Sequence, residues 1–325
     1  MRAITYDRFG PAADVLQCED LPTPAPQTGE VLVRLQTSAV NPSDVRARAG
    51  GRPGVTKPPF PKIIPHSDGA GVIAGVGEGV DPARVGQRVW IWNGQWGRAF
   101  GTAAEFIALP SAQAVRMPDH LGFAAGAVLG IPAMTACHTV LGGGDIAGKT
   151  VLVSGGAGSV GYLAIQIAVD AGAKVLATAG AGAGMDAARA AGAQHVFDYR
   201  ADDLSEQILA ATDGKAVDRI VEVEFGRNIA TNTAVIATGG TIATYGSAKD
   251  MTPTLPFYPL MFKAVSIDMA LIYLLTESQR AATLAQLAGL LDRNVLDLRV
   301  AAEMPLEDCA KAHEMVEQGN RQGAV

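Results

Sequence analysis

Apolar and polar positions along the chain form two textures that meet near Pro118. Before that point, short β-branched and apolar runs at residues 3–6, 15–18, 31–36, 71–76, 88–92 and 104–109 are separated by proline and glycine. Such runs predict strands bounded by turns. Residues 41–65 carry six prolines, and this density predicts a long loop with neither helix nor central strand. The first 120 or so residues therefore read as a β-rich domain with long loops.

After Pro118 the pattern alternates strand and helix. Apolar runs at 150–154, 174–178, 218–223 and 241–244 are strand-like, while 160–171 and the Ala-rich stretch reaching residue 191 are helix-length. Short apolar strands separated by helices predict a parallel sheet covered on both faces, an α/β doubly wound fold of the Rossmann type. The tail adds a helix near 277–292, a short strand near Leu298 and a helix near 306–318. No fixed-period repeat or low-complexity tract interrupts this order.

Bulk properties narrow the function classes. A chain of 325 residues exceeds one small core, so two domains are expected. With 48% hydrophobic and 18% charged residues, the composition is that of a folded globular protein rather than a disordered one. The net charge of −6, with no run of Lys or Arg, gives no reason to expect nucleic-acid or anionic-membrane partners. Neither a signal-peptide-like start nor an apolar segment of spanning length is present, which places the expected address in the cytoplasm. Cys18, Cys137 and Cys309 stand far apart, so no CxxC redox pair or zinc ribbon is written in the spacing.

The strongest motif is Gly156-Ala157-Gly158-Ser159-Val160-Gly161. A GxGxxG string means little in a chain with 38 glycines, but this one directly follows a predicted strand and opens a predicted helix. In that context the first glycine permits a tight turn, the second admits a pyrophosphate, and the third lets helix and strand approach closely. Backbone N–H groups at the helix start then face the phosphates. NAD-binding sheets usually carry an acid at the end of the second strand, for the ribose 2′-hydroxyl. Here the strand ends Thr178-Ala179-Gly180-Ala181-Gly182, with no acid, leaving room for the 2′-phosphate of NADPH. Arg189, Tyr199 and Arg200 are candidate partners for that phosphate.

With these motifs in place, the whole chain resembles the quinone oxidoreductase (zeta-crystallin-like) branch of the medium-chain dehydrogenases/reductases. The resemblance is carried by Ser38-Ala39-Val40-Asn41-Pro42-Ser43-Asp44, Ser67-Asp68-Gly69-Ala70-Gly71-Val72-Ile73, and Val85-Gly86-Gln87-Arg88-Val89. It continues through Ile131-Pro132-Ala133-Met134-Thr135-Ala136, the glycine loop, Gly239-Gly240-Thr241 to Gly246-Ser247, and Pro305 to Glu314. It implies a GroES-like β-rich catalytic domain at residues 1–120, a Rossmann NADPH-binding domain at 121–265, and a dimer-edge strand with a return to the catalytic domain at 266–325. The resemblance implies that Gly158, Ser159 and Val160 hold the pyrophosphate, and that Gly180 and Tyr199 flank the adenosine ribose and its 2′-phosphate. It further implies that Asn228, Tyr245, Gly246, Ser247 and the Met269-Ala270-Leu271 strand wall the nicotinamide ribose. Thr135 matches a hydroxyl residue near the nicotinamide ring, and Asn41 lines the reactive end, both in the cleft that the resemblance predicts.

Four departures qualify the match. Zinc-dependent relatives place Cys, His-Glu and Cys where this chain has Asn41, Ser67-Asp68 and Ile131, so three required ligand types are absent. His66 and the three cysteines are not expected to assemble a replacement. A pocket tyrosine of the branch is replaced by Arg46, and a lysine that contacts the 2′-phosphate falls at Gly184. The chain stops at Val325, where relatives continue through a closing strand, so that strand is expected to be missing or short. Among other residues, His66 beside Pro65 reads more readily as a surface or loop residue than as a proton donor. Trp90 and Trp92 read as core, Trp96 as a loop residue or one lining a pocket for a flat substrate, and Asp44 with Arg46 as a loop ion pair or a functional one.

Without zinc, an enzyme lacks a Lewis acid to polarise a simple alcohol or ketone. The expected reaction is therefore NADPH-dependent hydride transfer to acceptors already activated by conjugation, quinones and α,β-unsaturated carbonyls. Asn41 and Arg46 are the candidate donors to a developing oxyanion, with Thr135 completing the catalytic set. Two alternatives stand beside this: a 2-enal or enoyl-thioester reductase, and a non-catalytic NADPH-binding redox sensor. A homodimer is expected through the Rossmann edge strand.

Overall fold

A computed structural model describes residues 1–51, 54–319 and 321–325. It contains two compact units, Met1–Ile131 with Leu298–Val325, and Pro132–Asp297. The second unit takes in the helix Glu277–Asp292, and the return to the first begins at Leu298. That helix packs on Met134–Leu141 and places Thr283 O 3.6 Å from Cys137 Sγ, which ties it to the Rossmann body. Among the described residues, no helix is long and apolar enough to cross a membrane.

In the first unit, five antiparallel strands pair in the order Phe106–Pro110, Glu30–Ala39, Asp68–Val76, Arg88–Ile91, Ala114–Arg116. Val31, Val33, Ile73, Val89, Ile91, Ile107 and Leu109 form the core of this sheet. Trp90 and Trp92 are buried and Trp96 is exposed. Arg2–Thr5 and Gln17–Asp20 make a separate two-stranded sheet, so the run at 15–18 is divided between a short helix, Ala12–Val15, and a strand.

The loop expected at 41–65 needs correction, because it opens with a helix, Pro42–Ala49. Its prolines were read as breakers, yet Pro42 sits at the helix start, where its missing N–H leaves no bond unmade. Asn41 N–H donates to Asp44 Oδ2 at 2.8 Å, and Gly50 ends the helix in the left-handed region. The C-terminal helix Cys309–Gln318 packs on it, joining Ala312 and Val316 to Val40 and Val45. At the chain end, Ala324 makes a parallel bridge with Val300, and Val40 N–H donates to Val325 O at 2.9 Å.

The second unit is a six-stranded parallel sheet. Its order is His195–Asp198, Lys174–Ala179, Thr150–Val153, Val217–Glu222, Ile236–Thr244, Ser266–Met269. In sequence terms this is 3-2-1-4-5-6, the doubly wound Rossmann order. Its crevice lies where the first strand, Thr150–Val153, neighbours the fourth, Val217–Glu222. Leu152, Leu176, Ile220, Phe225, Ile236 and Ile242 are among the buried residues of the core beneath that switch point.

Candidate functional site

The dinucleotide motif lies at the switch point. Strand Thr150–Val153 ends, the chain turns through residues 154–158, and helix Ser159–Asp170 begins with Gly158 as its N-cap residue. The left-handed residue of this turn is Gly155, with φ 70°, one position before the glycine to which the sequence assigned the turn. A Cβ on Gly156 would lie 2.8 Å from Ile165 Cδ1 and 3.0 Å from Ala177 Cβ, so that glycine serves helix–strand packing. A Cβ on Gly161 would lie 2.2 Å from Gly155 O, which no relaxation of a side chain relieves. A Cβ on Gly158 would meet nothing closer than Gly155 O at 3.4 Å, leaving its outer face open. Ser159 and Val160 open this helix, where backbone N–H groups have no partner within the helix, which suits an anionic ligand.

Beside the loop, Ala179 is buried at the end of the second strand. Gly180 follows, and a Cβ there would contact Tyr199 at 3.5 Å and Arg200 at 3.8 Å. Arg200 lies over the Tyr199 ring, 4.5 Å from its centroid. Gly180, Tyr199 and Arg200 are thus brought together from two separate strand ends. Arg189 is on the helix Ala183–Ala190, exposed and bonded to Asp186. Gly184 faces Ala157 of the glycine loop, where a Cβ on Gly184 would lie 3.6 Å from Ala157 Cβ.

The residues expected on the nicotinamide side form a second cluster in this unit, organised by an acid that the sequence reading missed. Glu222 ends the fourth strand and is fully buried. Its Oε1 accepts from Asn228 Nδ2 at 2.9 Å and Glu224 N–H at 2.6 Å, and its Oε2 accepts from Asn232 Nδ2 at 2.9 Å. Asn228 Nδ2 also donates to Ser154 Oγ at 3.1 Å. Tyr245 N–H donates to Glu222 O at 3.0 Å, and Phe225 N–H to Gly246 O at 2.9 Å. Ser247 Oγ accepts from Gly226 N–H at 2.8 Å and donates to Asp250 O. The signal for Glu222 was an acid closing an apolar strand at a crevice. Met269 and Leu271 are exposed, and Ala270 N–H donates to Thr244 O at 2.8 Å. Thr135 is buried on helix Met134–Leu141, and its carbonyl accepts the Thr139 hydroxyl at 2.8 Å.

In the first unit, three of the positions that the resemblance matched to zinc ligands converge. Asn41 Nδ2 donates to Asp68 Oδ2 at 2.8 Å. Ile131 N–H, in the π-helical turn Leu129–Ala133, donates to Asp68 Oδ1 at 2.9 Å and Oδ2 at 2.8 Å. Gly130 makes room, since a Cβ there would stand 2.0 Å from Asp68 Oδ1. Asp68 is fully buried, and burial pushes its carboxyl well above the usual range, against the opposing bonds from Ile131 and Asn41. An amide, a backbone N–H and one such carboxyl do not fit Zn²⁺. Arg46 is exposed on the helix Pro42–Ala49, and Asp44 is buried there.

His66 lies in the loop before strand Asp68–Val76, as its neighbour Pro65 suggested, but it is not at the surface. It is 3% exposed and holds φ 76°, a left-handed conformation costing a non-glycine residue about 1–3 kcal/mol. Its protonation follows from a chain of hydroxyls, each with one proton. Thr102 Oγ1 donates to Asp68 O at 2.6 Å, so Ser38 Oγ donates to Thr102 Oγ1 at 2.9 Å. His66 Nδ1 must then donate to Ser38 Oγ at 2.8 Å, leaving the Nε2 lone pair facing His313 Nε2 at 2.8 Å. Cys309 Sγ stands 3.7 Å from His66 Nε2. The expectation that His66 and the cysteines are scattered is therefore overturned for His66 and Cys309, and His313 joins them. The spacing of Cys309 and His313, one helical turn apart, was the signal. Burial pushes the Cys309 thiol up to about 12, holds His66 well below the usual imidazole range and lowers His313 to about 3. Both imidazoles are neutral.

Comparison with known proteins agrees with this architecture. Residues 27–119 match the alcohol dehydrogenase GroES-like domain family, and residues 159–288 match the family described as zinc-binding dehydrogenase. The latter match contains none of Asn41, Ser67, Asp68 and Ile131. The quinone oxidoreductase of Rattus norvegicus is 32% identical over 97% of this chain and 93% of its own. The structure of Escherichia coli quinone oxidoreductase complexed with NADPH superposes with a TM-score of 0.86 at 25% identity, covering all of this chain and 98% of that one. A structure described as an NAD-dependent alcohol dehydrogenase gives a TM-score of 0.85 at 30% identity, with the same coverage. On the strength of its near-full-length match to the rat enzyme and the two-unit fold that carries it, this chain is an oxidoreductase belonging to the quinone oxidoreductase branch of the medium-chain dehydrogenase/reductase superfamily.

Proposed function

We propose that the chain catalyses NADPH-dependent, zinc-independent reduction of quinones or other conjugated carbonyls by direct hydride transfer. The observation that carries the reading is the saturation of Asp68 by Asn41 and Ile131 at the positions where zinc-dependent relatives hold metal. The cofactor, when bound, supplies the hydride. The residues fit NADPH: the open face of Gly158 admits a diphosphate, and Arg200 beside Gly180 offers a cation where NAD-specific sheets place an acid.

Asn41 has a second amide hydrogen besides the one given to Asp68, and that hydrogen is the donor for a developing oxyanion. Thr135 and Arg46 complete the set assigned to positioning the acceptor, and water supplies the final proton. Tyr245, Gly246, Ser247, Met269, Ala270 and Leu271 hold the nicotinamide ribose, with Asn228 fixed by Glu222. We further propose a cytoplasmic homodimer joined along Ser266–Met269. That strand is one of the two edges of the sheet, and Met269, Leu271 and Leu274 are exposed beside it.

The test follows NADPH absorbance with a quinone, an enone, an enoyl thioester and a simple alcohol, before and after chelation. Quinone or enone turnover that survives metal removal is expected. Alcohol oxidation abolished by the chelator would overturn the reading, and no NADPH consumption with any acceptor would leave a binding protein.

A further inference from the structure

We infer that His66, Cys309 and His313 form a Zn²⁺-binding site in the first unit, using none of the positions at which zinc-dependent relatives hold catalytic metal. The ligand atoms of the three residues all lie within 4.8 Å of one another, and all three residues are buried.

Geometry comes first. Tetrahedral zinc with ordinary bond lengths separates two imidazole nitrogens by about 3.3 Å, and a nitrogen from a thiolate sulfur by about 3.6 Å. Here the two Nε2 atoms are 2.8 Å apart, and His66 Nε2 is 3.7 Å from Cys309 Sγ. Parting the imidazoles by about half an ångström, with the His313 nitrogen and Cys309 Sγ, which lie within 4.8 Å of one another, brought to bonding geometry, accommodates the ion. Cys309 and His313 lie on one face of the helix Cys309–Gln318, and His66 meets them from the loop before the strand Asp68–Val76.

The surroundings are those of a ligand set. A metal-binding histidine is usually oriented through its other ring nitrogen. The relay from Asp68 O through Thr102 and Ser38 does this for His66: it fixes the proton on Nδ1 and aims a lone pair from Nε2 into the cluster. A histidine serving only to fill space has no need of a fixed tautomer or of a left-handed backbone. His66, Ser38, Thr102 and Cys309 also line a cavity of about 260 Å³, which gives a water access to the fourth position. The buried Asp44 carboxylate acts on Cys309 through space and offsets the positive charge of a Zn²⁺–thiolate centre.

The proton balance is simple. Binding breaks the Cys309 S–H bond and releases one proton to solvent, forming Zn–S. The proton between the two imidazoles moves from His313 Nε2 to its Nδ1, freeing both Nε2 lone pairs for the ion. No electron changes hands.

The experiment uses the full chain, stripped with a chelator, dialysed, and titrated with Zn²⁺ and, in parallel, with Co²⁺. One Zn²⁺ per chain is expected, together with a thiolate-to-cobalt charge-transfer band and a rise in melting temperature on Zn²⁺ addition. Cys309→Ser removes the band and weakens Zn²⁺ at least tenfold, and His313→Gln weakens Zn²⁺ to a similar degree. Ser38→Ala, which keeps all three ligands but breaks the relay that holds the His66 ring, weakens it about tenfold. A single cooperative thermal unfolding transition of each stripped variant reports that it has folded. No binding at micromolar Zn²⁺ overturns the inference. So does a wild-type cobalt complex without a sulfur band, a result that needs no variant. Stoichiometric binding unchanged in both Cys309→Ser and His313→Gln overturns it as well. Turnover of the stripped enzyme bears only on the hydride-transfer reading, so the two fail separately.

Discussion

The side-chain amide of Asn41 donates to Asp68 Oδ2 across 2.8 Å, and both side chains are buried. Removing the amide leaves a buried acceptor short of a donor. Asn41→Ala is expected to destabilise the fold by about 1–3 kcal/mol and to reduce kcat/KM for a quinone, while NADPH affinity stays within twofold. Denaturant unfolding with steady-state kinetics checks this, and unchanged stability and turnover together would remove Asn41 from both roles.

Two glycines of one loop separate folding from binding. Gly161→Ala drives a methyl to 2.2 Å from Gly155 O, so the protein without cofactor should melt several degrees lower. Gly158→Ala meets nothing closer than 3.4 Å and should leave that melting temperature nearly unchanged. It should nevertheless weaken NADPH at least tenfold, because the methyl occupies the approach of the diphosphate. Equal effects of the two substitutions on both measurements would contradict these separate roles.

Cofactor preference rests on the end of the second strand. Ala179→Asp introduces a carboxylate beside Gly180, Tyr199 and Arg200, and should weaken NADPH by at least ~1 kcal/mol through repulsion of the 2′-phosphate. Arg200→Ala should shift preference in the same direction. Fluorescence titration with NADPH and NADH reads both, and a wild type that binds the two alike defeats the argument.

His138 sets a pH dependence in the second unit. Burial lowers its imidazole below the usual range, although Asp268 Oδ2 at 3.7 Å acts to raise it and Arg219 acts to lower it. The unfolded chain therefore takes up the proton more readily, and this contribution to stability is lost as pH falls below about 6.5 toward the lowered folded value. The drop in melting temperature between pH 7.5 and pH 5.5 should be smaller in His138→Gln than in the wild type. An identical drop would falsify the assignment.

Local chemistry determined much of this protein in advance. Apolar strands alternating with helices dictated the parallel sheet, because a strand covered on both faces has no polar side to show. GxGxxG between strand and helix marked the expected dinucleotide loop for the same kind of reason, since a Cβ would crowd side chains at Gly156 and the backbone at Gly161. The absence of an acid after Thr178 was likewise legible. Side-chain partners across long separations were not. Asp68 meets Asn41 and Ile131, and His66 meets Cys309 and His313, only because strands and helices far apart in the chain pack together. Burial then decides what those groups are, holding the imidazoles neutral and the thiol protonated. Glu222 shows the same limit: an acid at a strand end reads as ordinary until the fold removes its water and brings Asn228 and Asn232 to it. Even Pro42, read as a helix breaker, became a helix start once Asn41 and Asp44 closed the turn around it. Periodicity and backbone sterics are properties of neighbours in sequence, whereas desolvation and hydrogen-bond pairing belong to neighbours in space.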